Sequence, residues 1–354
     1  MKKDLTFSDF LLQFLSTEEW RRPKVLLNNL IGRRTVSNVF WGAQYGLLPF
    51  FNLFSKLSAD DFELALKRLH KRGLIESQQD GKVLLTKTGK QEQKSVIDYI
   101  SQFHFRGIGL HTNLNNIQQC LNLVIQITSE FSYQNNRYYP LQYSGQTMAR
   151  AKQWFVKNKS IELPRKLHAE LTDFLLTIPA DEANAFTNSM IGHDDFGLTD
   201  QQIETALNVT PFNWKLRSLS LVAAFVKWAS ADSDTHFLCQ QIVSPWLTTS
   251  ALSTSSALSY QLYLKNTNLQ AVANCRRVKL NTIKEHLLEA AILTPSFPFQ
   301  LILPNKFSSD LETYLGARTI NQWQFDEVSK LDSQFSFFEF RLLQIERGHI
   351  QYAN

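Results

Sequence analysis

The chain has 354 residues, 44% of them hydrophobic, and 37 Lys+Arg against 32 Asp+Glu give a formal net charge of +5. That length and apolar content suit two or three domains with cores of their own and exclude a disordered or collagen-like chain. No run of about 18 apolar residues occurs, and the start MKKDLTFSDF lacks an apolar stretch with a small-residue cleavage site, so a cytoplasmic protein with no membrane partner is expected.

Three cysteines, Cys120, Cys239 and Cys275, lie far apart with no CxxC or His-paired spacing. Each is expected to be a small buried hydrophobe, not half of a disulfide or a zinc ligand. The basic charge sits at the front: residues 1–90 carry 15 Lys+Arg against 9 Asp+Glu, an excess of six that is larger than the net charge of the whole chain.

In chain order, Phe7 to Leu15 reads as a short helix with Phe7, Phe10, Leu11, Phe14 and Leu15 on one face. Pro23 suits a first helical turn, and the helix it opens, Lys24 to Ile31, should stop at Gly32. Thr35 to Gln44 and Leu47 to Phe54 are apolar and aromatic-rich, as expected of buried helices. Ser58 then caps a helix with Asp60 and Asp61 in its first turn. Phe62, Leu66 and Leu69 line its inner face, Lys67, Arg68, Lys71 and Arg72 give it a basic edge, and Gly73 ends it. Leu74 to Ser77, the turn Gln79-Asp80-Gly81 and Lys82 to Thr86 read as a β-hairpin. A helix ended by Gly, then a hairpin, then LTKTGK is similar to a winged-helix domain. Arg68, Lys71 and Arg72, with Lys82 or Lys87 of the wing, are the candidate phosphate contacts; a solvated basic face used for protein contact is the competing reading.

A mostly helical middle is expected from Ser95 to Ser244, with helices at Ile117 to Ile127 and Leu167 to Leu176 and breaks at Pro140, Pro164 and Pro179. NNRYYPLQYSGQ, Asn135 to Gln146, reads as a loop whose tyrosines either stack on unpaired bases or pack back on their own domain. His104 with His111, and His193-Asp194-Asp195, lack the spacing of a metal site. No GxxxxGK[ST] phosphate loop occurs. Neither an enzymatic activity nor a cofactor is expected.

The Ser/Thr-rich stretch Ser244 to Ser256 reads as a hinge into the segment that organises the chain. Ser255 to Lys265 places Leu258, Leu262 and Tyr263 or Leu264 at helical steps. Leu269 to Arg276 turns Leu269, Val272 and Ala273 inward, and Arg277, Val278, Lys279 and Leu280 form a tight corner. Asn281 is the expected N-cap of a third helix, Thr282 to Ala290, that buries Ile283, Leu287 and Ala290 and turns Thr282, Lys284, Glu285 and Glu289 outward. This is a helix-turn-helix pattern; in that architecture the last helix lies in the DNA major groove, while helix pairs with a tight corner also occur in bundles that do not touch DNA. Asn281, Thr282 and Lys284 are the candidate base or phosphate contacts, and Arg276, Arg277 and Lys279 the phosphate contacts of the corner; His286 is either structural or a contact. Beyond it, Leu311 to Leu315, Phe325 to Leu331 and Phe337 to Ile345 read as capping helices.

The run SYQLYLKNTNLQAVANCRRVKLNTIKEHLLEAAIL resembles the helix-turn-helix domain at the C-terminus of some RecQ-type helicases and of the YpbB-like proteins of Firmicutes. The likeness is carried by Tyr263, Leu269, Val272, Ala273, Arg276, Leu280, Thr282, Ile283, His286 and Leu287. Ser336 to Gly348 resembles that family's closing helix, and Gly32 to Thr35 a recurring feature of its front. The family usually places Gly after the second helix, where this chain has Arg277. The expected architecture is therefore mainly α: a winged-helix-like module (1–94), a helical middle (95–244) and a C-terminal helix-turn-helix module with capping helices (245–354). The resemblance implies a DNA-binding accessory protein linked to a RecQ-type helicase in repair or recombination. A DNA-independent interaction scaffold and a sequence-specific regulator are the rival readings.

Overall fold

A computed structural model describes residues 4–232, 235–333 and 335–352. In chain order its helices are α1 (Phe7–Leu11), α2 (Pro23–Leu30), α3 (Val36–Gln44), α4 (Ala59–Lys71), α5 (Lys87–Ile100), α6 (Leu114–Ser132), α7 (Gly145–Asn158), α8 (Leu163–Leu175), α9 (Ala180–Asn188), α10 (Asp200–Leu207), α11 (Pro211–Ala231), α12 (Phe237–Val243), α13 (Thr254–Lys265), α14 (Leu269–Arg276), α15 (Leu280–Leu293), α16 (Ser309–Gly316), α17 (Phe325–Leu331) and α18 (Phe337–Tyr352). Two short strands, β1 (Ile75–Ser77) and β2 (Val83–Leu85), complete a mainly helical protein.

By compactness the chain forms two units. The first is Met1–Gly32 with Pro49–Thr248, and the second is Arg33–Leu48 with Thr249–Asn354. This differs from the three segments expected along the sequence. The winged-helix module and the helical middle share one unit, and α3, which precedes α4 in the chain, belongs with the helix-turn-helix. The boundary at Thr248 and Thr249 falls within the Ser/Thr-rich stretch read as a hinge.

In the first unit the winged-helix order is present. Thr6 caps α1, accepting from the Asp9 amide while the Asp9 carboxylate takes the Thr6 N–H, a reciprocal capping box. The helix α1 packs on α4 and α5. Strands β1 and β2 pair antiparallel with Glu76 opposite Leu84, and Arg21 adds a bridge to Val83 on the far side. Gly81, at φ 78°, turns the hairpin where the Asp-Gly pair expected it. Thr86 does more than end a strand: its hydroxyl accepts from the Gly89 N–H and caps α5, a helix that the local sequence pattern does not announce. Glycine is needed there because a Cβ at position 89 would lie 2.2 Å from the Leu74 carbonyl oxygen. A cluster of phenylalanines holds the unit together, with Phe10 within 5.5 Å of the rings of Phe14, Phe54 and Phe212. Burying each such ring stabilises the fold by about 1.5–3 kcal/mol.

The expected helix over Leu47 to Phe54 is absent. A single 3-10 turn, Leu48–Phe50, stands there, between Gly46 at φ 69° and Asn52 at φ 58°. Two left-handed residues and Pro49, which has no N–H to donate, leave no room for a continuous hydrogen-bonded run. In the middle segment α6 and α8 cover the two expected helices. The loop before α7 is tied back by Gln126, whose amide donates to the Tyr139 carbonyl and whose oxygen accepts from Leu141 N–H, although the Tyr139 side chain is exposed. His193 is stacked on Tyr133 at 4.3 Å, with its Nδ1 2.8 Å from Glu130 Oε2.

In the second unit α15 is the central element, packed against α13, α14, α18 and α3. Its Ile283, Leu287 and Ala290 are fully buried, as their spacing required. Of the residues expected inside on α13, Tyr263 is buried, as one of the two alternatives had it, while Leu258 and Leu264 are about half exposed; Ser256 and Ser259 face the core beside Tyr263. The reason lies on α15, which presents polar groups to α13. Cys275, expected to be buried, is exposed, whereas Cys120 and Cys239 are buried.

Candidate nucleic-acid interface

The corner between α14 and α15 is three residues long. Arg277 adopts the left-handed conformation, φ 53° and ψ 42°, and its N–H donates to Asn274 O at 3.1 Å while Val278 N–H donates to Ala273 O at 3.1 Å. These bonds satisfy the last carbonyls of α14 in the manner of a C-terminal cap for which glycine is favoured. Lys279, not Asn281, is the cap residue of α15, and no side chain caps it. The turn out of the left-handed residue brings the backbone back to helical angles two residues earlier than expected, so Asn281 lies inside the first turn. Arg277, Lys279 and Asn281 are all exposed and Thr282 is half-buried. Neither Arg277 nor Lys279 is paired with a carboxylate among the described residues.

Arg276 has a different position. Its Nη1 donates to Ser255 O at 2.8 Å and to Ser259 Oγ at 2.7 Å, and its Nη2 to Ser255 Oγ at 3.1 Å. Because Ser259 Oγ accepts from Arg276, its own hydrogen is free to reach His286 Nδ1, 2.8 Å away. Burial, then the nearby Arg276 charge, hold the His286 pKa below its ordinary value and keep the ring neutral. This relay fixes α13 and α14 against α15, so His286 is a structural residue.

Glu289, expected on the outer face, is turned inward and is 8% exposed. It accepts from Ser253 N–H at 2.9 Å, from the Ser256 hydroxyl at 2.7 Å and from Arg34 Nε at 2.8 Å. Arg34 also donates to the Ala251 carbonyl. Burial alone would raise the Glu289 pKa; the Ser253 amide, the Ser256 hydroxyl and Arg34 outweigh it and hold the carboxyl below its ordinary value. On the inner face of α13, Ser256 meets this carboxylate, and Ser259 meets Arg276 and His286. Sequence separation hid the partner: Arg34 lies 255 residues from Glu289.

Lys284 is half-buried with its Nζ 5.5 Å from the Phe338 ring centroid. Together with Asn281, Glu285 and Leu288 it forms one wall of a groove of about 450 Å³ whose other wall is Phe337, Phe338 and Arg341 of α18. Arg341, not singled out from sequence, stands 4.0 Å over the Phe40 ring of α3. The outer face of α15 is thus nearly neutral, with Lys284 beside Glu285, and the positive charge lies on the corner.

At the front, Arg68 and Lys71 are exposed on α4 and make no ion pair among the described residues. Arg72 is committed elsewhere: it bridges Asp9 and Glu92 at 2.6 Å each. Burial works against the Asp9 charge, but Arg72 and Thr6 hold its pKa below the ordinary value. Lys82 pairs with Asp80 across the wing turn at 2.7 Å. Lys87, in the first turn of α5, is exposed.

A three-helix arrangement with a tight corner, its last helix opening on exposed Asn281 beside two cations that make no ion pair among the described residues, defines a helix-turn-helix. Residues 255–344 accordingly match the family described as "Helix-turn-helix domain". Over 318 residues the chain is 20% identical to Protein YpbB of Bacillus subtilis (strain 168), a similarity spanning 88% of each chain. No solved structure matches the chain. The likeness to YpbB-like proteins read from the C-terminal residues therefore extends over most of the molecule. No helix among the described residues is long and apolar enough to cross a membrane.

Proposed function

We propose that this protein is a non-enzymatic DNA-binding accessory protein, acting beside a RecQ-type helicase in repair or recombination. The observation that carries the DNA reading is the corner: Arg277 and Lys279 stand exposed, without carboxylate partners among the described residues, immediately before the first turn of α15, where Asn281 is exposed. That is where phosphates flank a helix entering the major groove. Asn281 and Thr282 follow as the groups nearest base edges, and Lys284 lies one turn further along. Arg68 and Lys71 on α4 offer a second cationic edge of the same kind.

The helicase link is supported by the resemblance of the C-terminal domain to that of some RecQ-type helicases. The reading as a DNA-independent scaffold draws its weight from two carboxylates on the outer face of α15. Only Glu285 is there, since Glu289 is buried. Titration against duplex, forked and single-stranded DNA at two salt concentrations tests the proposal. Salt-sensitive binding strongest on forks, with a changed unwinding rate when the helicase is added, is the expected result. No binding to any substrate near physiological salt would overturn it.

A further inference from the structure

A second cavity, wholly within the first unit, has no part in the corner or its supports. It measures about 480 Å³ and opens between α1, α4, α6, α11 and the segment before α4. That is within the range of about 300–1,000 Å³ typical of small-ligand sites. Its floor is aromatic: the rings of Phe7, Phe54 and Phe212 lie 5.5–6.0 Å apart. Leu64, 46% exposed, stands at its edge. Three cations, Lys56, Arg68 and Lys215, surround it against a single carboxylate, Asp61, which already accepts from Ser58 at 2.6 Å. One wall carries two carboxamides a helical turn apart, Asn115 and Gln119.

Each part of this set points to a different part of one ligand. An aromatic floor favours a flat π-system, which stacks on aromatic side chains with little regard to its identity. Carboxamides match the paired donor and acceptor on a base edge. Three cations around one mouth call for flanking anions. Asn115 Oδ1 already accepts from Lys215 Nζ at 3.5 Å, but an acyl chain would fill the apolar floor and leave the Gln119 amide without a partner, at the usual cost of covering an unpaired polar group. An acidic peptide would answer the cations but bring no planar polar edge to the wall. We propose that this cavity takes one unstacked base of single-stranded DNA, with Lys56, Arg68 and Lys215 on the adjoining phosphates. The inference rests on the DNA-binding reading for its class of partner, though not on the helix-turn-helix corner. Lys215 adds support. Its side chain reaches solvent, yet desolvation by the surrounding protein, only partly offset by Asp200 and worsened by Lys56, holds its pKa below the ordinary value. A bound phosphate would relieve that cost.

The test uses the full chain and two variants altered only at exposed side chains: Lys56→Gln with Lys215→Gln, which removes charge, and Leu64→Trp, which fills the cavity and keeps the charge. Each is titrated with a single-stranded oligonucleotide carrying a fluorescent adenine analogue, with a plain duplex, and with an acidic peptide that bears one aromatic residue; circular dichroism confirms that both variants fold. The expected result is quenching of the analogue by the natural protein, single-strand binding weakened roughly tenfold in both variants, and duplex binding within about twofold throughout. Single-strand affinity unchanged in both variants would overturn the proposal. So would capture of the peptide, blocked by Leu64→Trp, without any single-strand binding. Absence of duplex binding by the natural protein, beside single-strand binding that both variants weaken, would uphold this site and sink the helix-turn-helix reading instead.

Discussion

Arg277 is the residue at which local backbone physics and surface charge oppose each other. A left-handed backbone costs an L side chain about 1–2 kcal/mol that glycine avoids, and the resembled family usually has glycine at this place. The strain is held by two main-chain bonds closing α14. Arg277→Gly should therefore raise stability by about 0.5–1 kcal/mol while weakening duplex binding, measured by thermal melting and by titration on the same preparation. A variant that is less stable would show that the side chain, not the backbone, sets the energy of the corner.

Glu289 gives a second prediction at this scale, through pH. Its pKa is lowered in the folded chain, so its contribution is present above the ordinary carboxylate value of 4.5 and is lost as pH falls through the lower folded value. The His286 pKa is lowered too, so its neutral, hydrogen-bonded form also favours folding above its ordinary value of 6.5 and works against folding below it. The second unit should lose stability in acid in two stages, the first beginning near neutrality. Arg34→Ala, which strands the buried carboxylate, should destabilise by on the order of 3 kcal/mol and move the later stage toward higher pH. A flat stability profile between neutrality and pH 4.5 would contradict the role given to His286, and a flat profile below 4.5 the role given to Glu289.

At the scale of elements, the helices that periodicity can find are those whose partners are apolar. Ile283, Leu287 and Ala290 of α15, Val272 and Ala273 of α14, and the hairpin around Gly81 follow from local spacing. The inner face of α13 does not, because Ser256 and Ser259 read as solvent-facing until Glu289, Arg276 and His286 are placed opposite them. The helix α5 is hidden for a similar reason: Thr86 and Gly89 look like the end of a strand, and only the approach of the Leu74 carbonyl explains the glycine. For the candidate interface the residue types are legible but their commitments are not. On α4, Arg72 and Lys71 are adjacent in sequence, yet Arg72 serves Asp9 and Glu92 while Lys71 is exposed without an ion pair among the described residues. Arg72→Ala should cost about 1–3 kcal/mol of stability by leaving the buried Asp9 with an unmet charge. Lys71→Ala should leave melting within about 0.5 kcal/mol and reduce DNA affinity more than Arg72→Ala does. Equal reductions of affinity from both would place Arg72 on the DNA.

For the whole molecule, the second unit is discontinuous in sequence. The helix α3 supplies Val39 and Phe40 to its core, with relative exposures of 1% each, and Arg34 just before α3 balances Glu289. A fragment beginning at Thr249 keeps every residue of the helix-turn-helix yet lacks these parts. It should be less stable than the same segment joined to residues 33–48, and bind a hydrophobic dye that the full chain does not. A fragment that melts like the full second unit would show that α3 is an ornament of the fold.

That the α14–α15 corner holds DNA is tested most directly by the salt dependence of duplex binding for the natural chain and for Arg277→Ser with Lys279→Ser. The variant should bind more weakly at every salt concentration, with a log–log salt slope shallower by about two, roughly 0.9 for each phosphate that is no longer neutralised. Identical affinities and identical slopes would contradict a DNA-binding corner and move the search for the DNA surface to α4 and the cavity beside it.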